Sequence, residues 1–155
     1  MFEIERKFLI TSDKWRDSIF SKQRITQGYM TVDNEINSIR VRVIDKEAWI
    51  TVKSAGELKR QEYDYRIPYP DACKMLASLA RGNIIEKIRY RILIGEFIFE
   101  VDIFEGVNEG LCFAEIEMTR EDEIIPLPDW IGEEVTHDHR YYGSYIGQNP
   151  YINWE

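Results

Sequence analysis

Six stretches of this chain carry like-charged residues two positions apart, with one apolar or aromatic residue between neighbours. They are Glu3 and Glu5; Arg40 and Arg42; Glu62 and Asp64; Lys87, Arg89 and Arg91; Glu100 and Asp102; and Glu115 and Glu117. In an extended strand successive side chains point to opposite faces, so each stretch has one charged face and one apolar face. Like charges at this spacing repel, and a face built only for solubility would mix its signs. The apolar faces must also be covered, and the rest of the chain predicts only two clear helices to cover about eight strands. A sheet that curls on itself resolves both demands. The pattern therefore predicts a mainly β (α+β) fold, an antiparallel barrel or strongly curved sheet of about eight strands with few covering helices.

Taken in order, residues 1 to 10 read as a strand with Glu3, Glu5 and Lys7 on one face and Phe2, Ile4, Arg6 and Phe8 on the other. Ser12 is a candidate N-cap for a helix carrying Trp15, Ile19 and Phe20. Strands follow over 25–32, 38–44 and 48–53, with a turn at Asp33-Asn34-Glu35. Lys53 shares a face with Thr51 and Trp49. A strand over 59–67 runs into a helix of about ten residues opened by Pro68 and Pro70, and Gly82-Asn83 is expected to stop it. Strands over 84–94 and 97–103 form a hairpin at Gly95-Glu96, and the last clear strand spans 111–118. Beyond Trp130 a short helix, a polar turn over 136–142 and a short terminal helix complete the chain.

Nothing suggests a second domain. There is no internal repeat and no linker, so 1–155 reads as one domain, long enough to bury a core. A net charge of −8 argues against nucleic acid or an anionic membrane as partner, though not against a small basic cavity inside an acidic shell. No apolar run reaches membrane-spanning length and charge begins at residue 3, which predicts a cytoplasmic protein without a secretory signal. Cys73 and Cys112 are too few for a disulfide framework or a zinc site. Strand edges and the aromatic C-terminal tail leave room for a homodimer.

Segregated carboxylates bind cations, and segregated guanidinium and ammonium groups bind an extended anion. Side by side in one cavity they suit a metal–polyphosphate complex. Arginine offers forked donors to phosphate oxygens and lysine a point charge, while carboxylate oxygens suit Mg²⁺ or Mn²⁺.

With these residues in view, the chain resembles the CYTH superfamily, the triphosphate tunnel metalloenzymes. Glu3-Ile4-Glu5-Arg6-Lys7 is similar to the family's ExExK signature, Arg40-Val41-Arg42 to its RxR strand and Lys53 to the lysine that follows. Glu62 with Asp64 resembles the central acidic strand, Lys87 with Arg89 the KxR strand, Glu100 with Asp102 the ExD strand, and Glu115 with Glu117 the terminal ExE. Order and spacing agree across residues 3 to 117. The resemblance implies an eight-stranded antiparallel β-barrel tunnel with a charged interior and a few covering helices, open at one or both ends, that binds a triphosphate chain, in a family whose members hydrolyse tripolyphosphate, thiamine triphosphate or RNA 5′-triphosphate ends, or cyclise ATP.

It also implies roles. Glu3, Glu5, Glu115 and Glu117 would form the metal side, with Glu62, Asp64, Glu100 and Asp102 completing the metal shell or orienting the basic residues. Lys7, Arg40, Arg42, Lys53, Lys87, Arg89 and Arg140 would hold phosphate, Arg140 reaching the tunnel mouth. Glu3, Glu5, Lys7 and Lys87 would carry the chemistry. Within the family the short chain resembles bacterial tripolyphosphatases. Class IV adenylate cyclases usually have aromatic and histidine residues before ExExK, whereas only Met1 and Phe2 precede Glu3. Thiamine triphosphatase and a non-catalytic polyphosphate or nucleotide binder are the alternatives, and a lipocalin-like carrier is disfavoured by the charged interior.

Other residues receive bland readings. His137 and His139 suit an exposed polar turn better than metal ligation, Tyr29 suits packing, and Trp130 and Trp154 suit packing or a lid. Arg91 shares the face of Lys87 and Arg89 but is expected beyond the working section, and Arg6 faces away from Lys7.

Overall fold

All six charge-bearing stretches fold as strand. The computed structural model describes residues 1–33 and 36–155, so two members of the expected Asp33-Asn34-Glu35 turn, Asn34 and Glu35, lie outside the described residues. The chain runs β1 (Phe2–Ile10), β2 (Ile19–Tyr29), β3 (Ser38–Ile44), β4 (Glu47–Lys53), β5 (Lys59–Ile67), α1 (Tyr69–Ser78), β6 (Arg81–Ile94), β7 (Phe97–Phe104), β8 (Cys112–Met118), β9 (Ile131–Glu134) and α2 (Gly143–Gln148).

The sheet order is β5-β4-β3-β2-β6-β7-β8-β1-β9, and β5 also pairs with β1. That last pairing closes an eight-stranded antiparallel barrel. It is short, from Phe2 opposite Gln61 to Ile4 opposite Lys59. Past it, the edge of β1 is taken over by β9, with Phe8 opposite Glu134 and Ile10 opposite Ile131. Residues 131–134, expected to be helical, are thus a strand, because the edge that β5 leaves bare needs a partner for its backbone groups.

Closure decides where the apolar faces go. Ile4, Phe8, Ile92, Phe99, Val101, Ala114, Ile116 and Met118 point outward and are buried beneath Trp15, Ile125 and Trp130. A smaller cluster of Val41, Ala48 and Ala72 sits where α1 packs on β3 and β4. The hydrophobic core therefore lies outside the barrel wall, and the charged faces line its interior.

Two helix boundaries differ from expectation. The segment after Ser12 makes only a 3-10 turn over Lys14–Ser18, and Ile19 and Phe20 belong to β2, whose first residues pair with β6 from Ile92 onward. Pairing with a long neighbour outweighs a weak helical stripe. Likewise α1 ends at Ser78, and Gly82 and Asn83 lie inside β6.

Candidate functional site

The barrel interior is a cavity of about 320 Å³. Of the residues singled out in the sequence, its wall brings together Glu3, Glu5 and Lys7 from β1, Arg40 and Arg42 from β3, Lys53 from β4, and Glu62 and Asp64 from β5. Lys87 and Arg89 from β6, Glu100 from β7, and Glu115 and Glu117 from β8 complete the set. Register explains the meeting. Glu5 stands opposite Glu117 and Lys7 opposite Glu115, Glu115 opposite Glu100, and Arg89 opposite Asp102.

Two expected members are placed elsewhere. Asp102 has no solvent exposure and does not line the cavity. Its oxygens accept from Lys87 Nζ at 2.7 Å and from Arg89 Nε and Nη2 at 2.8 and 2.9 Å. Arg140 lies on the surface, where it binds Asp138 at 2.6 Å. The nitrogens of Arg140 bond the carboxylate two residues before it, which also caps the turn it begins, so the side chain is turned away from the tunnel.

The cations of the wall fall into two sets. On β6, Lys87 and Arg89 are clamped on Asp102, Arg89 reaches Glu100 at 3.4 Å, and Arg91 binds Glu100 at 3.0 Å. On β3, Arg40 Nη2 donates to the Thr51 hydroxyl at 3.2 Å and Arg42 Nε to Gln27 Oε1 at 2.8 Å. Among the described residues neither guanidinium has a carboxylate partner, and Arg40 Nε is buried with no hydrogen bond. Thr51 in turn donates to Asp64 at 2.6 Å. Burial, followed by Arg40 and Arg89 nearby, pushes Arg42 down to about 9, as expected of a cation lacking a counter-ion. Lys87 is pushed down to about 8, because burial together with Arg89 and Arg42 outweighs Asp102.

The acidic side shows the opposite imbalance. Lys7 Nζ donates to Glu5 at 2.5 Å, and Lys53 Nζ lies 2.8 Å from Glu3 and 3.3 Å from Glu62. Glu115 and Glu117 are both raised, first by burial and then by neighbouring carboxylates, Glu5 for Glu115 and Glu3 then Glu5 for Glu117. Glu5 itself is lowered, because Lys7 and the hydrogen bond from Glu115 outweigh burial and Glu3. Carboxylates crowded until two of them resist ionising are short of positive charge, and a hard divalent cation fits such oxygen donors. Among the described residues no three acidic or histidine side chains already converge as a cage. That arrangement suits an ion that takes one or two protein carboxylates and keeps substrate phosphates and water as its other ligands.

At one end the tunnel is closed by Tyr141, Tyr142, Gly143 and Ile146, backed by Phe104 and Phe113. At the other, Arg91, Glu100 and Glu117 are shared with an outer pocket of about 610 Å³ that also meets Glu96 and Glu123. The wall also includes Gln27 and Arg60, which the sequence reading passed over, and Arg91 and Tyr29, which it had placed beyond the working section and in packing. Arg60 was signalled by its face, since it stands two residues before Glu62 on β5. His137 and His139 lie at the surface against Glu57 and Asp33.

A tunnel lined this way invites comparison with known proteins, and the family model described as the CYTH domain matches residues 1–144. The chain belongs to the CYTH domain family. It is 42% identical over 154 residues to the inorganic triphosphatase of Acetivibrio thermocellus, covering 99% of this chain and 97% of that protein. It is 38% identical over 146 residues to the inorganic triphosphatase of Nitrosomonas europaea, covering 91% and 93%. A solved inorganic triphosphatase structure superposes with a TM-score of 0.67 at 34% identity, covering 94% of this chain and 93% of that one. The CYTH motifs read in the sequence are therefore the strands of a barrel shared with these relatives.

Proposed function

We propose that this protein hydrolyses inorganic tripolyphosphate to pyrophosphate and orthophosphate with a divalent cation, Mg²⁺ or Mn²⁺. The observation that carries this reading is a single cavity with cations lacking carboxylate partners on β3 and carboxylates crowded on β1 and β8. The activity of the two curated relatives supports it. The free cysteines, Cys73 and Cys112, fit a reducing, cytoplasmic compartment.

In this reading Arg40, Arg42, Lys53 and Lys7 hold phosphate oxygens, with Arg60 beside them. Glu5, Glu115 and Glu117 form the crowded group from which the ion takes its one or two carboxylates, Glu5 sharing its charge with Lys7, while Glu3 and Glu62 are engaged with Lys53, Asp64 with Thr51, and Glu100 with Arg89 and Arg91. The bound cation would neutralise phosphate charge and lower the pKa of an attacking water. That water gives its proton to the carboxylate of this crowded group that the ion leaves free, its oxygen joins phosphorus as one phosphoanhydride P–O bond breaks, and the departing oxygen keeps the electron pair. Lys87, pushed down to about 8, holds a proton that it can pass to that oxygen near neutral pH. Asp102 positions Lys87 and Arg89 and touches neither substrate nor metal. Preorganised charge of this kind suffices for phosphoryl transfer, which needs no covalent protein nucleophile.

The outer pocket could receive a group attached to the last phosphate, so the test includes thiamine triphosphate and ATP. The purified protein is incubated with each, and with tripolyphosphate, in Mg²⁺, Mn²⁺ or chelator, and the products are identified. Pyrophosphate and orthophosphate formed fastest from tripolyphosphate, and only with metal, support the proposal. Cyclic AMP from ATP, or tight binding without turnover, would overturn it.

A further inference from the structure

The closed end of the tunnel has a side passage. Tyr29, Arg40, Lys53, Arg60 and Gly143 line both the main cavity and a throat of about 20 Å³. Ser38, Ser144 and Arg60 join that throat to an outer pocket of about 310 Å³. Among the described residues Arg60 alone lines all three spaces. We propose that this passage is the exit for the orthophosphate product, with Arg60 as the residue that follows the anion outward. The proposal rests on the hydrolase reading above.

Charge favours this route over the main mouth. There a departing anion passes Glu100 and Glu117 and then Glu96 and Glu123, with Arg91 the one cation beside them among the described residues. Among the described residues the throat carries three cations and four hydroxyls, from Tyr29, Ser38, Thr51 and Ser144, and no carboxylate, and the outer pocket beyond it has two carboxylates, Asp33 and Glu57, beside Arg60 and His139. Like charges along a narrow low-dielectric path raise the barrier to an anion, and opposite charges lower it. Arg60 is held lightly: among the described residues its one ion pair is a long one, to Glu3 at 3.9 Å, and its guanidinium rests 5.4 Å from the centre of the Tyr142 ring.

As it stands the throat has room for about one water molecule. It is narrowed where the start of α2 crosses Tyr29, so closely that a Cβ on Gly143 would lie 2.0 Å from the phenol oxygen. Outside, that stretch of chain is tied by two contacts to one carboxylate oxygen. Asp33 Oδ1 accepts from Ser144 Oγ at 3.3 Å and meets His139 Nε2 at 2.8 Å. The His139 side chain is more than half exposed, and surface contacts of this kind hold weakly. Releasing them frees Ser144 and His139 from Asp33, so that only the start of α2 has to lift from Tyr29 while Asn83 keeps its hold on the carbonyls of Ile146 and Gly147 further along the helix.

The test blocks the throat from either side with Ser38→Phe or Ser144→Phe, and loosens the latch with His139→Ala. In single turnovers on tripolyphosphate, rapid quench reads cleavage and a fluorescent phosphate-binding protein reads free orthophosphate. We expect cleavage at the wild-type rate in the Phe variants but orthophosphate appearing about tenfold later, while His139→Ala shows no added delay. Release that keeps pace with cleavage in both Phe variants overturns the exit. Should those variants fail to fold, the unmodified protein decides. Labelled orthophosphate should leave it at the same rate with or without saturating magnesium pyrophosphate, and trapping by pyrophosphate overturns the exit. If the wild type forms no orthophosphate at all, the hydrolase reading itself fails, a result distinct from either.

Discussion

The β6–β7 side of the tunnel and the β3 side carry the same chemical groups and use them differently. On β6, Lys87 and Arg89 share the fully buried Asp102, so their positions are fixed before any ligand arrives. On β3, the partners of Arg40 and Arg42 among the described residues are neutral, a threonine hydroxyl and a glutamine oxygen. One side is rigid because its charge is balanced, and the other attracts an anion because its charge is not. An anion-binding tunnel needs both, since balanced cations alone would have little reason to take a phosphate.

The largest expected effect lies on the third, acidic side. Glu5→Gln removes a ligand of the proposed ion, and kcat/KM on tripolyphosphate should fall at least about a thousandfold while circular dichroism stays unchanged. Activity at a comparable rate would refute the assignment of that side. Next comes a pair of substitutions with opposite signatures. Asp102→Asn leaves two buried cations without their counter-ion and should cost about 3–5 kcal/mol in chemical denaturation. Arg42→Gln should lower kcat/KM about a hundredfold, mostly through KM, yet leave stability unchanged or higher, because it removes an unbalanced buried charge. Equal stability losses in the two would erase the contrast between the sides.

The smallest effect concerns Glu117, whose carboxyl is raised by burial and by its acidic neighbours. A carboxyl raised in the folded state costs stability once it ionises, so the cost is absent in acid and present at neutral pH. Glu117→Gln should raise the Tm of the metal-free protein by about 2 °C at pH 7, and the difference should vanish near pH 4. Adding Mg²⁺ should shrink the pH 7 difference, because the wild type then gains a counter-ion that the variant holds less well. A difference independent of pH would show that repulsion among these carboxylates is not its source.

Much of the site was legible because alternation is local. Which face Glu3, Arg40 or Glu115 occupies follows from its neighbours one residue away, and the segregation of sign along each strand required those faces to enclose something. Arg60 was legible by the same rule, but its partner in sign lay on another strand, so the like-charge pattern passed over it. The strand at Ile131–Glu134 was not legible, since four residues carry little periodicity and the cause of that strand is the bare edge of β1. Nor was the outward turn of Arg140, which follows from a carboxylate two residues away and not from any spacing shared with the barrel.

By itself, then, the sequence determined the charge-bearing strands, their inward charged faces and the family, because each rests on residue type at a spacing of two. Only the tertiary structure decided which charges cancel. Arg89 meets Asp102 through the β6–β7 register, and Lys53 meets Glu3 only because β5 and β1 close the barrel and bring residues 50 positions apart within 3.0 Å. Coulomb energies depend on such distances and on burial, and both are properties of the closed barrel and not of any one strand.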